Sequence, residues 1–437
     1  MYRGKRFSFL KVFQHALTYE QAGADYRILK NYLHLPFSLH KVLLWLKAFQ
    51  AKNRNIIGLR EIVFIDPARI VRDDAGGWHS VYMERAIRLF NRQDVSVLSR
   101  KNEPYLPCEA TLDKLPREFS FPDKPELEML REISLVAKNV LRSSNWSDIQ
   151  KKHILSAIHV FYDDFRFYYN LFKEQPVKTV VFISHYHNEG LIAALNVLNI
   201  RSVELQHGLI SGNDLYYQYA SAFSHGVKNA FFPDAICVYG SYWKTQLLKG
   251  CEFESTQITV AGDYQWSADQ SASIVLPFKQ VLICAQKNMH EEYVAYAQRL
   301  KLLMKKHPDW KWVIKMHPLE KNKDQYFDLV KDGFEIIDRE KSLTALLKES
   351  SIQISIYSTT FFDALGFSIE NYSLQDYSVY SDYAAEMVSE GVAEPLSVDE
   401  DPIEKHLLSK GRKVLRPRSE VYGQFDEFAM RNAILGG

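Results

Sequence analysis

Apolar residues in this chain cluster in short β-branched runs, each ended by polar residues and separated by stretches with helical periodicity. The first run covers 61–66 (EIVFID), followed by a helical pattern near 81–91 and a short strand at 95–98. Residues 100–125 are punctuated by proline and read as a connection, and long helical periods fill 126–143 and 147–173. After Pro176 the alternation becomes strict: strand 179–183, helix 190–199, strand 202–205, an irregular aromatic loop, strand 235–239, helix 241–249, strand 257–261. The polar stretch 267–277 reads as a linker. A second series then runs strand 280–285, helix 290–306, strand 312–316, helix 323–331, strand 334–337, helix 342–349, strand 352–356, helix 359–366 and strand 369–374. The tail from 401 is charged and helical, and residues 1–55 are helical and aromatic-rich. Short strands alternating with helices specify parallel sheets with crossover helices.

A chain of 437 residues exceeds one ordinary core. The expected architecture is therefore α/β, with two doubly wound Rossmann-like domains facing each other across a cleft. The first covers 1–266, with a helical N-terminal extension; the second covers 267–437 and carries the helical tail. A net charge of +1 gives no overall field that would attract nucleic acid. The four cysteines lack CxxC spacing and read as reduced, mostly buried thiols of a cytoplasmic protein. Neither a signal peptide nor a run of roughly 18–20 apolar residues is evident, so a soluble protein, or one peripheral on the inner face of the inner membrane, is expected. The basic amphipathic stretch 35–54, with Lys41, Lys47 and Lys52 among leucines, suits an anionic membrane surface. It suits better a helix covering the sheet with its lysines in water, since basic amphipathic helices are common in ordinary domains.

Candidate chemistry sits at the strand ends, where open α/β sheets bind ligands. Ser184-His185-Tyr186-His187-Asn188-Glu189-Gly190 follows the 179–183 strand. Glu189 there suits a general acid or base, or simply a carboxylate favoured at a helix start. His185 and His187 share a face, but no third metal ligand is spaced with them, so no metal is expected. In Gln206-His207-Gly208 the glycine permits close approach to a ligand, and His207 suits bonding to a substrate hydroxyl or carboxylate. A histidine satisfied by backbone at a tight turn is the alternative. Tyr216, in an aromatic loop, is suited to stacking on a sugar or to filling the core. Asp263, after Gly262, suits a nucleophile or base, or a cap on the next turn. His317-Pro318 ends a strand beside Lys315, whereas His307-Pro308 ends a helix and reads as structural. Ser358-Thr359-Thr360 opens a helix, where hydroxyls and free N–H groups suit either an anion or simple capping. No Walker A, GxGxxG or strand-end DxD pattern is present, and no cofactor is expected.

The sequence of Asn188-Glu189-Gly190, His317-Pro318 and the Ser/Thr run resembles GT-B glycosyltransferases that use CMP-activated acidic sugars, among them bacterial sialyltransferases and the Kdo transferases of capsule and lipopolysaccharide synthesis. Gln206-His207-Gly208 with Gly262-Asp263 is most similar to the retaining β-Kdo transferases, over roughly residues 180–375. The resemblance implies a GT-B-like fold and transfer of Kdo from CMP-Kdo to a glycan or lipid-linked glycan acceptor during O antigen or capsule assembly. It implies that His317 contacts the CMP phosphate and that Ser358 and Thr359 hold phosphate or ribose. It further implies Asp263 as nucleophile and Glu189 as its partner in proton transfer, with His187, Gln206, Gly208 and Tyr216 near the sugars. The family carries an acidic pair before the glycine; here it is Asn188-Glu189. Rival expectations are an inverting sialyltransferase, a CDP-linked glycerophosphotransferase, and a non-catalytic scaffold that binds nucleotide or glycan.

Overall fold

The computed structural model describes residues 58–67, 69–72, 78–99, 110–112, 123–143, 147–212, 216–217, 231–250, 253–265, 278–287, 289–318, 320–321, 323–365, 367, 369–377, 381–409 and 416–437. The stretch 35–54 and the 267–277 linker lie outside them. The chain divides into one unit of residues 1–268 with 424–437, and a second of 269–423.

The strands of the first unit are β1 (Ile62–Asp66), β2 (Ile70–Arg72), β3 (Trp78–Ser80), β4 (Val95–Ser99), β5 (Ala110–Thr111), β6 (Thr179–Phe182), β7 (Arg201–Leu205), β8 (Ala235–Val238) and β9 (Ile258–Val260). Among the described residues, seven form one sheet in the order β5-β4-β1-β6-β7-β8-β9, and β2 and β3 form a separate hairpin. Every pair in the large sheet is parallel. All five β1 residues are buried, as a strand covered on both faces requires.

Two helices, Lys124–Arg142 and Asp148–Phe172, pack over that sheet. Their starts are written locally: Asp123 with Glu126, and Ser147 with Gln150, form reciprocal capping boxes. Glu126 is also bonded by Arg166 at 2.7 Å, both side chains being buried. The second helix lies against Glu189–Leu198. A Cβ on Gly190 would sit 2.7 Å from the Phe165 nitrogen and 2.8 Å from the Phe161 oxygen. Glycine is needed there for close helix packing.

The second unit holds β10 (Gln280–Cys284), β11 (Lys311–Lys315), β12 (Glu335–Ile337), β13 (Ile352–Ser355), β14 (Glu370–Leu374) and β15 (Glu394–Leu396). Its order is β12-β11-β10-β13-β14-β15, parallel throughout the described residues. Both sheets thus reverse their strand order once, at β1/β6 in the first and β10/β13 in the second. Such reversals open the crevice that takes ligands in doubly wound folds.

Several local expectations change. The helix expected at 323–331 gives way after Phe327 to a 3-10 stretch, Asp328–Asp332, stopped by Gly333 at φ 99°. The helix expected at 359–366 is only Thr360–Ala364. Helix Ser381–Ser389 and strand β15 carried no sequence expectation. From sequence the whole tail belongs with the second domain; in the structure Gln424–Gly437 returns to the first unit. Met430 and Ile434 are fully buried there. The Asp426 N–H donates to the Ala261 carbonyl at 2.9 Å, and the Thr179 hydroxyl donates to the Ile434 carbonyl at 3.1 Å. An amphipathic helix needs an apolar surface, and its sequence does not say which sheet provides it.

Candidate functional site

In the first unit the site begins where β6 ends. Ser184 adopts a left-handed conformation, φ 58° and ψ 66°. This costs a non-glycine residue about 1–2 kcal/mol. The Asn188 amide nitrogen holds the turn by donating to the carbonyls of Ile183 and Ser184, both at 2.9 Å. A carboxylate has no N–H to do this, so the departure from the acidic pair has a structural reason. A single 3-10 turn, His185–His187, then leads into the helix opened by Glu189.

His185 and His187 separate on that turn. His185 is fully buried; its Nδ1 lies 2.6 Å from the Glu204 carboxylate and its Nε2 2.9 Å from the Tyr216 carbonyl. Burial pushes the Glu204 carboxyl up, but the His185 charge and hydrogen bond outweigh it and hold it below its ordinary range. His187 is exposed, whereas both ring nitrogens of His185 are engaged by Glu204 and the Tyr216 carbonyl. The Tyr217 hydroxyl completes the knot by donating to Glu204 at 3.1 Å. Tyr217 is therefore filler, while half-buried Tyr216 stacks on Tyr186 with centroids 4.5 Å apart.

His207 comes from the next strand end. Its Nε2 lies 3.0 Å from both the Ser184 and Tyr186 hydroxyls. Tyr82 meets the ring edge-on at 6.0 Å. Burial lowers the His207 pKa, Glu204 opposes that, and the Arg69 guanidinium adds to it. The ring is thus neutral near pH 7. Arg69 Nη1 donates to the Tyr82 hydroxyl at 2.6 Å.

Gln206 was a candidate sugar contact, but its amide is occupied by the protein. Nε2 donates to the Gly208 carbonyl at 2.9 Å and Oε1 accepts the Tyr239 N–H at 3.0 Å. A Cβ on Gly208 would meet open space, so this glycine leaves room at the sheet edge.

Asp263 follows Gly262 beyond β9. Gly262 has φ 76°, and a Cβ there would fall 1.9 Å from the Gln424 carbonyl oxygen. Asp263 Oδ1 accepts the Gln265 N–H at 3.2 Å, so the turn-capping role is real for one oxygen. Its carbonyl accepts from Arg85 at 2.8 Å. Burial, then Tyr82 and Asp263, push the Tyr239 hydroxyl well above its ordinary range. That coupling puts Asp263, Tyr82 and Tyr239 in one neighbourhood of the edge. Fully buried Asp66, at the end of β1, stands on the reversal itself.

In the second unit, pairing of Cys284 with Lys315 and of Ile283 with Ile354 brings Gln286, His317 and Tyr357 to one strand edge. Gln286 Oε1 accepts from the Tyr293 hydroxyl at 3.0 Å and from the Tyr357 N–H at 3.1 Å. His317 is half-buried and Pro318 exposed. The His317 carbonyl accepts the N–H of buried Glu320 at 2.9 Å. The Lys315 ammonium is directed to the Asp338 carbonyl, where burial lowers its pKa against the pull of Asp338. It ties β11 to the chain after β12. Ser358 Oγ accepts the Thr360 N–H at 3.3 Å, but the N-cap is Thr359, which makes no side-chain capping bond. Thr359 is exposed, and Thr360 turns its hydroxyl inward to buried Gln353. With a helix of five residues the dipole at this terminus is small.

Ser184, Tyr186, Arg69, Tyr82, Gln286 and Tyr357 had no assigned role in the sequence. The signal for Ser184 and Tyr186 was their place in the strand-end motif; the others come from residues that meet only in the fold.

No protein-family model matches the chain, and no curated protein matches its sequence. Solved structures do match in fold. The UDP-GlcNAc 2-epimerase of Neisseria meningitidis, bound to UDP-GlcNAc, aligns with a TM-score of 0.51 at 14% identity, over 86% of this chain and 99% of its own. The corresponding epimerase of Methanocaldococcus jannaschii aligns at 0.49 and 12% identity, over 85% and 98%. MurG of Acinetobacter baumannii aligns at 0.40 and 10% identity, over 86% and 94%. Two doubly wound parallel α/β units and the first of these likenesses define a GT-B-like fold.

Proposed function

We propose that the protein is a glycosyltransferase acting on a nucleotide-activated sugar. One observation carries this: polar side chains stand at the carboxyl ends of the parallel strands in each unit, Ser184, Tyr186, Glu189 and His207 after β6 and β7 with Asp263 after the edge strand β9 in the first, and Gln286, His317 and Tyr357 after β10, β11 and β13 in the second. The epimerase of similar fold holds UDP-GlcNAc, which supports a sugar nucleotide as the ligand class. The motif order supports CMP-linked Kdo as donor and a glycan or lipid-linked glycan as acceptor.

In this mechanism the Asp263 carboxylate attacks the anomeric carbon as its bond to CMP breaks, leaving a covalent adduct and free CMP. The acceptor hydroxyl then displaces Asp263 and gives its proton to Glu189. Two displacements retain configuration. Neutral His207, with the Ser184 and Tyr186 hydroxyls, orients sugar hydroxyls. The resemblance assigns His317, Ser358 and Thr359 of the second unit to the nucleotide phosphate.

Calorimetry with CMP tests the nucleotide half. His317→Ala should weaken binding by about 1.5–3 kcal/mol if it makes a charge-assisted bond. His307→Ala should not, since its Nε2 lies 2.8 Å from Asp401, a structural partner. Equal losses would overturn the assignment.

A further inference from the structure

Helix Lys124–Arg142 buries one face through Glu126, Met129, Leu130, Ile133, Ala137 and Val140. On its exposed side three leucines stand among charged residues: Leu127, Leu135 and Leu141 are 53%, 58% and 57% exposed. At about 100° per residue these leucines share an arc of roughly 120°. Exposed Lys124, Arg131, Lys138 and Arg142 fall in the same arc, while Glu128 and Glu132 fall outside it. Among the described residues none of the four cations forms an ion pair. Helices of the second unit behave otherwise: Lys306 pairs with Asp401 and Glu404, Arg299 with Asp399, and Lys405 with Glu400. Ile149, 60% exposed, and Lys152 extend the cationic, apolar character into the start of the next helix.

We propose that this face docks the protein on an anionic phospholipid surface. The three leucines spread along about 20 Å of helix. A lipid plane meets all three. The cations between them have aliphatic stems that lie along the apolar zone while their heads reach phosphates. Each is worth about fivefold in affinity near an anionic surface. The buried face holds the helix flat on its own domain, with the three leucines and the cations turned outward. No helix of the described residues is long and apolar enough to cross a membrane. This inference is independent of the donor and of the sugar chemistry.

The test is co-sedimentation of the full chain with phosphatidylglycerol/phosphatidylethanolamine vesicles, against phosphatidylcholine alone. Binding should require the anionic lipid and weaken with salt. The pair Arg131→Glu and Lys138→Glu should lower it at least about tenfold. Leu127→Ser with Leu135→Ser and Leu141→Ser should lower it as well, with melting temperature unchanged in both. Leu302→Ser, at a position 75% exposed on another helix, should have no effect. Equal binding to neutral vesicles, indifference to both sets of changes, or loss only on reversing Lys41, Lys47 and Lys52 would overturn the proposal. Binding to an acidic protein but not to lipid would overturn it too.

Discussion

Gly262→Ala separates the two demands that the chain makes just before Asp263. The first is conformational: φ is 76°, where an L side chain costs about 1–2 kcal/mol. The second is steric. The added carbon would stand 1.9 Å from the Gln424 oxygen, 2.4 Å from its carbonyl carbon and 2.7 Å from the Phe425 Cα. All three are backbone atoms, so no side chain can swing aside, and overpacking of this kind costs about 1–3 kcal/mol. The sum, about 2–5 kcal/mol, is a large fraction of a typical domain's stability. Gly391 is the control: its φ is 68°, yet a Cβ there meets nothing within 4 Å, so only the first cost applies. The expected result is a melting temperature about 5–10 °C lower for the first-unit transition in Gly262→Ala. Limited proteolysis read by mass spectrometry should show 424–437 cut earlier. Gly391→Ala should leave that segment as resistant as in the parent. A Gly262→Ala protein with unchanged melting and an equally protected C-terminus would refute the close packing of the tail on β9.

The burial of His207 fixes a pH dependence. Its pKa is lowered from 6.5, so as pH falls below that value the unfolded chain takes up a proton that folded His207 refuses. Stability should therefore drop with falling pH, at no more than about 1.4 kcal/mol per unit. His207→Gln should flatten that slope in urea titrations between pH 6.5 and 5; an unchanged slope would contradict the burial. Glu204, lowered from 4.5, should add a second loss below that pH as it is protonated. Burial also pushes the thiols of Cys237 and Cys284 up to about 12. Both should resist alkylation at pH 8 until urea unfolds the chain, as read by peptide mapping; rapid labelling of either in the native protein would show its strand to be open.

Much of the framework was legible because β-branched runs ending in polar clusters are the signature of parallel strands. Thr179–Phe182, Ile258–Val260 and Lys311–Lys315 fall where their residue types put them. The site was legible only as a set of strand ends. What each polar residue does there depends on neighbours from other strands. Gln206 and His207 are adjacent and equally polar, yet one has its amide locked by Tyr239 and Gly208 while the other meets the hydroxyls of Ser184 and Tyr186. The roles of Asn188 and Gly190 were hidden for the same reason: each answers to a carbonyl or a helix that the local sequence does not name. The hairpin carrying Arg69 and Tyr82 beside it was missed because β2 and β3 are three residues each, too short to show a period.

The most direct measurement presents the purified protein, with EDTA, to CMP-Kdo, CMP-sialic acid and UDP-GlcNAc in turn, following released nucleotide and intact protein mass. CMP should be released from CMP-Kdo with an acceptor glycan present. Without acceptor, a mass increase of one sugar should appear, and it should be lost in Asp263→Asn. Release of UDP, or epimerised UDP-GlcNAc, with both CMP-sugars untouched would contradict the proposed function.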